Sequence, residues 1–172
     1  PPVPGEWKQT LAEEFDGTKL NEKVWTIYHP NYWDKRSHFS KENVILGGGL
    51  LKLRFEKKRG HHNDDPKQPE TDWQTGFITS THKWTQRYGY FECRAKLPRA
   101  AHMWPGIWMM PDRGLAKFPD GLPKVNWQGF KGRTDTFNGG MEIDIIESQS
   151  IWGPHRFNIA CHWDGYAKEH KK

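Results

Sequence analysis

The sequence lacks any long hydrophobic run. No stretch of its 172 residues approaches the roughly 20 apolar residues that a membrane-spanning helix needs. Its first residues, PPVPGEW, contain no charged segment followed by an apolar one, which is the pattern of a signal peptide. We therefore expect a protein without a membrane span, whose export signal has been removed or was never there.

Cysteine is also scarce. The two cysteines, Cys93 and Cys161, fall on the apolar faces of predicted strands. Buried free thiols are the expectation, with a single disulfide as the alternative. Two such residues do not fix the redox compartment.

Helical periodicity is missing over any window of ten residues, whereas short apolar or alternating runs recur between Gly, Pro, Asn and Asp. In YGYFECRAKL, for example, Phe91 and Leu97 face one way, with Tyr90 and Lys96 facing the other. Strands are predicted near residues 11–15, 24–28, 43–46, 50–56, 75–80, 88–97, 104–110, 141–147 and 156–163. This pattern predicts one all-β domain over 1–172, built as a sandwich or jelly roll of two packed sheets.

Two long connections interrupt the predicted strands. Lys57–Asp72 is polar and expected to be an exposed loop, whose HHNDD cluster could bind a metal or simply be solvated. The second connection, Asp112–Gly140, leads directly into the strand at 141–147. Because long loops in compact domains are usually functional or disordered, we expect it to form a wall of the functional site.

Aromatic residues and positive charge are plentiful. The chain has 10 Trp, 9 Phe and 5 Tyr despite a mean hydropathy of −0.96, and its formal charge is +5. Such a composition favours flat aromatic faces presented to a ligand, with core packing as the alternative. The charge favours an anionic partner, for which nucleic acid, acidic membrane and sulfated polysaccharide all qualify.

Three acids, Glu142, Asp144 and Glu147, lie within the stretch GGMEIDIIESQS. On a helix their side chains would diverge, whereas on a strand Glu142 and Asp144 share a face and Glu147 falls on the other. One extra residue, Ile145 or Ile146, would restore Glu147 to that face as a β-bulge, a feature concentrated beside active sites. The spacing therefore predicts three carboxylates on one surface.

Paired carboxylates are the usual equipment for glycoside hydrolysis. With the bulge, Glu142 and Glu147 lie about four strand steps apart, roughly 13 Å, and side chains that lean inward would bring the carboxyls to about 5 Å, the separation of retaining enzymes. We expect Glu142 to be the nucleophile, Glu147 the acid/base, and Asp144 the group that shares a proton with the nucleophile. Spacing alone would allow the two Glu roles to be exchanged, and a strand with a solvated polar face is the alternative to a catalytic site.

The hexapeptide EIDIIE resembles the signature of glycoside hydrolase family 16, E-x-D-x-E or its bulged form E-x-D-x-x-E, the latter seen in the family's agarases, porphyranases, carrageenases and laminarinases. Further segments resemble family blocks in family order: Leu11–Trp25, Glu42–Leu53, Thr75–Pro98 and Trp104–Pro111. The resemblance implies a jelly roll of two curved antiparallel sheets with the acids on the concave one. It also implies the same roles for Glu142 and Glu147.

Two tryptophans in WPGIWMMP, Trp104 and Trp108, are four residues apart and so share a strand face. By the resemblance this is the cleft face, where indoles stack on sugar rings; core packing is the alternative. In HRFNIACHWDGY, Asn158 and His162 lie on the polar face and could reach a substrate bound by the neighbouring acidic strand. A structural role for His162 remains the alternative.

The loop NYWDKRSHFS sets Trp33 beside Arg36, an aromatic plane next to a guanidinium group suited to sulfate. This pair resembles an arrangement in the family's porphyranases, so sulfated porphyran is the expected substrate, with a surface cation–π pair as the alternative reading. Neutral agarose follows, then β-1,3-glucan and carrageenan. A polysaccharide substrate predicts a secreted, periplasmic or outer-surface enzyme.

The family domain normally continues well beyond the acidic strand, whereas this sequence stops at DGYAKEHKK. We expect the domain to be incomplete at its C-terminus, with the remainder in a separate chain or outside the given sequence; an abbreviated fold is the alternative. No cofactor is expected to be required and no metal ligand is assigned, although a structural calcium is common in the family. A non-catalytic lectin is the competing function; nucleic-acid binding has no supporting motif.

Overall fold

The structure is a computed structural model that describes residues 1–29, 36–81, 83–111, 141–153 and 155–163. The chain falls into two compact units, Pro1–Arg87 and Tyr88–Lys172. The single-domain organisation expected from the sequence stays a prediction.

Strands are the main regular elements among the described residues of both units. The first unit contains β1 (Ser37–Phe39), β2 (Val44–Leu46), β3 (Leu51–Leu53), β4 (Phe55–His61) and β5 (Glu70–Thr75). Strands β1, β5 and β4 form one sheet in that order, in which β1 is parallel to β5 and β4 is antiparallel to it. Strands β2 and β3 form an antiparallel pair.

The interior of the first unit is mostly polar. Phe39, 4% exposed, is the one buried hydrophobic residue among the described residues, and its ring stacks on Phe77 with centroids 4.5 Å apart. Asn43 is also fully buried and donates to the carbonyl of Arg54 at 3.0 Å. His38 Nδ1 lies 2.8 Å from Thr71 Oγ1. These hydrogen bonds offset the cost of removing polar groups from water.

The second unit contains a three-stranded antiparallel sheet with β7 at its centre. Its strands are β6 (Gly106–Met109), β7 (Glu142–Glu147) and β8 (Asn158–His162), in the order β6, β7, β8. The isoleucines of β7 favour this conformation because β-branched side chains pack well on a pleated surface. A short 3-10 turn at Ser150–Trp152 lies between β7 and β8.

The predicted all-β class is confirmed: the described residues form strands and short 3-10 turns, with no α-helix among them. Within these same ranges, no helix has the length and apolarity that a membrane crossing requires. The strands predicted near 43–46, 104–110, 141–147 and 156–163 are confirmed within a few residues at each end. The strand predicted at 50–56 is instead two strands, β3 and the start of β4.

Other predicted strands are wrong. Residues 11–15 and 88–97 are not strands, and the segments 24–28 and 75–80 contribute only the end of β5 and an isolated bridge between Thr26 and Thr79. The alternation in YGYFECRAKL defines two faces, but a strand also needs a neighbour that completes its hydrogen bonds, and alternation does not specify one.

The loop predicted at Lys57–Asp72 is confirmed only in its middle, because its two ends belong to β4 and β5, which pair as a hairpin. Its charged side chains pair across the two strands, as Arg59 does with Glu70 at 2.7 Å. Within the HHNDD cluster, Asp64 accepts hydrogen bonds from the Lys41 amide and the Tyr28 hydroxyl, at 3.0 and 2.9 Å. The cluster therefore ties this hairpin to neighbouring backbone.

The cysteines are free, as expected, but they are exposed rather than buried. Cys93 lies in the segment that does not form a strand. Cys161 lies on β8, where Ile159 on the same face is 67% exposed. The predicted inward orientation of this apolar face of β8 is wrong, because Phe157 and Ile159 on it are exposed.

Candidate active site

Strand β7 carries a β-bulge at Ile145. Toward β6, Trp108 lies opposite Asp144 and Ile107 lies opposite Ile146, so that Ile145 is the extra residue. Toward β8, the register slips in the same interval, between Asp144 and Glu147. The predicted bulge is confirmed, and it returns Glu147 to the face of Asp144.

The acids on this face lie close together. One ligand atom from each of Asp144, Glu147 and His162 falls within 4.8 Å of the others. Asp144 is the most enclosed, with 2% of its surface exposed, and Glu142 and Glu147 are half-buried. Glu142 and Asp144 lie on the same strand face, close enough for each carboxyl to affect the acidity of the other.

Burial and mutual repulsion alter the acidity of this group. Burial, then the charge of Asp144, raise the pKa of Glu142 to about 8. Burial and the charge of Glu147 also raise the pKa of Asp144, against the opposing effect of His162. Burial and mutual repulsion therefore favour retention of a proton by the Glu142 and Asp144 pair, compared with two isolated carboxyls.

His162 approaches Asp144 from β8. Its Nε2 lies 3.1 Å from Asp144 Oδ2, close enough for an ion pair when the ring is protonated. The ring N–H is not aligned on that oxygen, which is buried without an aligned donor among the described residues. His162 is therefore a neighbour of the central acid, and its predicted contact with substrate stays a prediction.

Glu147 receives hydrogen bonds on both carboxylate oxygens. Trp104 Nε1 donates to Oε1 at 3.1 Å, and Asn158 Nδ2 donates to Oε2 at 3.3 Å. Sequence parity placed both residues on the acid face but did not show these contacts. The contact of Asn158 could have been found from the pairing register of β7 and β8, because Asn158 lies directly opposite Glu147.

The two tryptophans lie on the acid face. Trp108, half-buried, is opposite Asp144 in the ladder, and opposed residues project to the same side of a sheet. Trp104 precedes β6 and is 61% exposed. Their predicted stacking on sugar rings stays a prediction.

The predicted substrate-recognition pair is not assembled by the described residues. Trp33 lies outside them, and so does the connection Asp112–Gly140 that was expected to wall the site. Arg36 is exposed and directly precedes β1 in the first unit. The sulfate-reading role of Trp33 and Arg36 stays a prediction.

The Asp144, Glu147 and His162 cluster also has the donor types of a divalent cation site. The sequence analysis assigned no metal, and it did not anticipate that these three side chains converge. The same side chains form the acid cluster described above, so their proximity is accounted for without an ion.

Curated proteins with similar sequences are named as glucanases, glucan glucosidases or β-glycanases. The chain is 29% identical to a β-glucanase from Rhodothermus marinus over 133 residues, covering 66% of this chain and 41% of that protein. It is 36% identical to the endo-1,3-1,4-β-glycanase EglC of Rhizobium meliloti over 145 residues, covering 70% of this chain and 30% of that protein. The chain thus spans less than half the length of either relative. No protein-family model matches it.

Among solved structures, the laminarinase catalytic domain of Thermotoga maritima MSB8 is similar, with a TM-score of 0.67 and 22% identity. The match covers 95% of this chain and 59% of that domain. At this identity the likeness shows a shared fold, and it confirms the predicted all-β jelly-roll class. The relatives support a glycoside hydrolase; they do not support the agarase or porphyranase subgroup that the sequence suggested.

Proposed function

We propose that the chain belongs to glycoside hydrolase family 16 and forms the acid-bearing part of a retaining endo-hydrolase that cleaves a β-1,3 or mixed β-1,3-1,4 glucan. The observation that carries this proposal is the bulge at Ile145, which puts Glu142, Asp144 and Glu147 on one face. The names of the relatives favour a glucan over the red-algal galactan expected from the sequence. Such a substrate implies a secreted, periplasmic or outer-surface enzyme.

The residues divide the reaction into two displacements. Glu142 attacks the anomeric carbon and forms a glycosyl ester while Glu147 gives its proton to the departing glycosidic oxygen. Water then attacks the same carbon, Glu147 takes up a proton from that water, and the ester bond to Glu142 breaks. The sugar leaves with its original anomeric configuration.

Asp144 allows Glu142 to act as an ionised nucleophile despite its raised pKa. A nucleophile must be ionised, yet burial and repulsion favour a proton within the Glu142 and Asp144 pair. When Asp144 holds that proton, it donates a hydrogen bond to Glu142 and leaves the nucleophile charged. Conversion of Glu142 to the ester relieves the repulsion, so Asp144 can then release its proton.

The test is the loss of cleavage in Glu142→Gln, which keeps the shape of the side chain but removes the nucleophile. Wild type should shorten laminarin or mixed-linkage glucan, and the variant should lose at least about a thousandfold in kcat, as expected for a lost covalent route. Glu22→Gln, an exposed acid in the first unit, is the matched control and should retain full activity. An active Glu142→Gln enzyme would remove the proposed nucleophile.

A second substrate class is favoured by charge. The formal charge of +5 suits an anionic polymer such as sulfated porphyran. Product analysis on laminarin, mixed-linkage glucan, porphyran, agarose and carrageenan separates the two classes, and NMR of the first-formed anomer tests retention. Binding to any of these polymers without cleavage would indicate the lectin instead.

A further inference from the structure

One atom of the Asp144, Glu147 and His162 cluster is not explained by the proximity of its acids. Asp144 Oδ2 is buried, in a residue that is 2% exposed, and no hydrogen-bond donor among the described residues is aligned on it. A buried carboxylate oxygen without a donor costs free energy, because it has lost water and gained nothing in return. The oxygen therefore marks a position that a cation would stabilise.

The group that faces this oxygen is another electron-pair donor. His162 Nε2 lies 3.1 Å from Asp144 Oδ2 without an aligned N–H between them. When Nε2 carries no proton, its lone pair faces those of the carboxylate, and a cation between them replaces this repulsion by two bonds. Bonds of about 2.0–2.2 Å in a tetrahedral zinc site put neighbouring ligand atoms roughly 3.3 Å apart. The observed 3.1 Å suits one edge of such a site.

Glu147 supplies a third ligand. One of its oxygens lies within 4.8 Å of the ligand atoms of Asp144 and His162. This exceeds a tetrahedral edge by at most about 1.5 Å, which small rotations of the three side chains can share. Trp104 and Asn158 each donate to one Glu147 oxygen, and each oxygen keeps a second lone pair for a metal. Carboxylates that bind metals in proteins are commonly hydrogen-bonded in this way.

The backbone holds the ligands on one side of a sheet, and their chemistry selects the metal. Asp144 and Glu147 come from β7, and His162 on β8 lies opposite Glu142, so its side chain projects to the same face. Two carboxylates and one imidazole balance a divalent charge, and imidazole suits zinc, copper and nickel. Calcium instead takes six to eight oxygen ligands, and magnesium requires an octahedron of oxygens.

We propose that Asp144, Glu147 and His162 form an inhibitory site for a divalent transition-metal ion of the zinc type. The bound ion occupies an oxygen of Glu147, the residue that gives a proton to the glycosidic oxygen, and it takes Asp144 away from Glu142. The enzyme is inactive while the ion is bound and active again after chelation. The binding rests on the cluster alone, whereas the inhibition rests on the proposed hydrolase function.

Calorimetric titration of zinc chloride into the full chain, treated with chelator and dialysed, tests the site directly. Wild type should have one tight zinc site, and its Kd should rise at least about 100-fold in Asp144→Asn and in His162→Gln, because losing a ligand costs more than the roughly 10–100-fold of losing an outer-shell partner. His155→Gln alters an exposed imidazole of the same unit and should leave Kd within about twofold. Equal Kd values for wild type and His162→Gln, or no zinc binding at millimolar concentration, would overturn the proposal.

Cobalt(II) gives a readout that needs no variant. In the wild-type chain it should show the visible bands of a site with oxygen and nitrogen ligands. Both cysteines, Cys93 and Cys161, are exposed thiols that could bind the ion instead. A sulfur-to-cobalt charge-transfer band in the near ultraviolet would place the metal on a cysteine and overturn the assignment.

Inhibition is measured with laminarin as the substrate. Zinc should reduce wild-type kcat/KM by about half at a concentration near its Kd, EDTA should restore it, and calcium at that concentration should have no effect. Zinc binding without loss of cleavage would overturn the inhibitory role, and an equal effect of calcium would overturn the choice of metal.

The variant Glu142→Gln separates this inference from the hydrolase proposal, because it lacks the proposed nucleophile and keeps all three ligands. It should bind zinc although it cleaves nothing. If wild type cleaves no glycan after removal of metal, the hydrolase proposal is refuted, and the zinc titration still decides whether the site exists.

Discussion

Deleting a single isoleucine from β7 should reduce activity far more on one side of Asp144 than on the other. Without Ile145 the strand reads E-I-D-I-E, a regular alternation that leaves all three acids on one face. The pairs on either side of the bulge, Trp108 with Asp144 and Ile107 with Ile146, then follow each other without a slip. Without Ile143, Glu142 becomes adjacent to Asp144 and turns to the opposite face.

The size of the two effects follows from strand geometry. Turning Glu142 over moves its carboxyl by about 8 Å, twice the roughly 4 Å reach of the side chain from the sheet plane. No covalent route survives this, so we expect a loss of more than about 10⁴-fold in kcat. Removing Ile145 straightens the strand and shifts Glu147 by on the order of 1 Å, for which about 100-fold is a typical loss.

Both deletions remove one isoleucine from the same strand, so each controls for the general cost of shortening it. The assay is reducing-sugar release from the glucan that wild type cleaves, alongside circular dichroism and thermal unfolding. The result that would refute the reasoning is a folded protein lacking Ile145 that is as inactive as the one lacking Ile143. If both deletion variants instead kept the activity of wild type, the reasoning would also be refuted, because Glu142 would then not need to face Asp144 and Glu147.

Two further predictions concern stability. Because burial and Asp144 raise the pKa of Glu142 to about 8 from an ordinary 4.5, folding takes up a proton there; the stabilisation is complete below pH 4.5 and is lost as the pH rises through 8. The urea midpoint should therefore fall between about pH 5 and pH 8.5, and less so in Glu142→Gln; an identical fall in both would contradict the assignment. A Cβ at Gly76 would overlap the Asn43 carbonyl oxygen, so Gly76→Ala should destabilise by about 1–3 kcal/mol, measured by urea unfolding. Gly47→Ala, whose Cβ meets nothing within 4 Å, is its control, and equal midpoints for the two variants would show that the clash is relieved at no cost.

The bulge could be predicted from sequence because chemistry constrained it: three acids have a common use only if they share a face. The hairpin of β4 and β5 could not, because its polar residues look like a loop until Arg59 is seen to pair with Glu70 across the ladder. Hydrophobic alternation reports burial, and a strand stabilised by cross-strand charge pairs has little of it.

The contacts of the site show a similar limit. Parity put Trp104 and Asn158 on the acid face, but that both donate to Glu147 depends on register and side-chain rotamers. The strand predicted at 88–97 is wrong for a different reason. Its hydrophobic alternation is clear, but the sequence does not specify a strand with which it could pair. The sulfated substrate was predicted from Trp33 and Arg36. Two residues in a loop do not specify a substrate, because its recognition also depends on side chains from other parts of the chain.

The polar interior of the first unit depends on the nitrogen of the buried Asn43 side chain. Its nitrogen points at three acceptors, the carbonyls of Arg54 and Gln74 and the carboxylate of Glu56. Deamidation would exchange that nitrogen for oxygen with almost no change of volume, and would set a negative charge against all three. Deamidation would thus leave the packing volume of the interior unchanged while it turned three attractive hydrogen bonds of Asn43 into repulsive contacts between oxygen atoms.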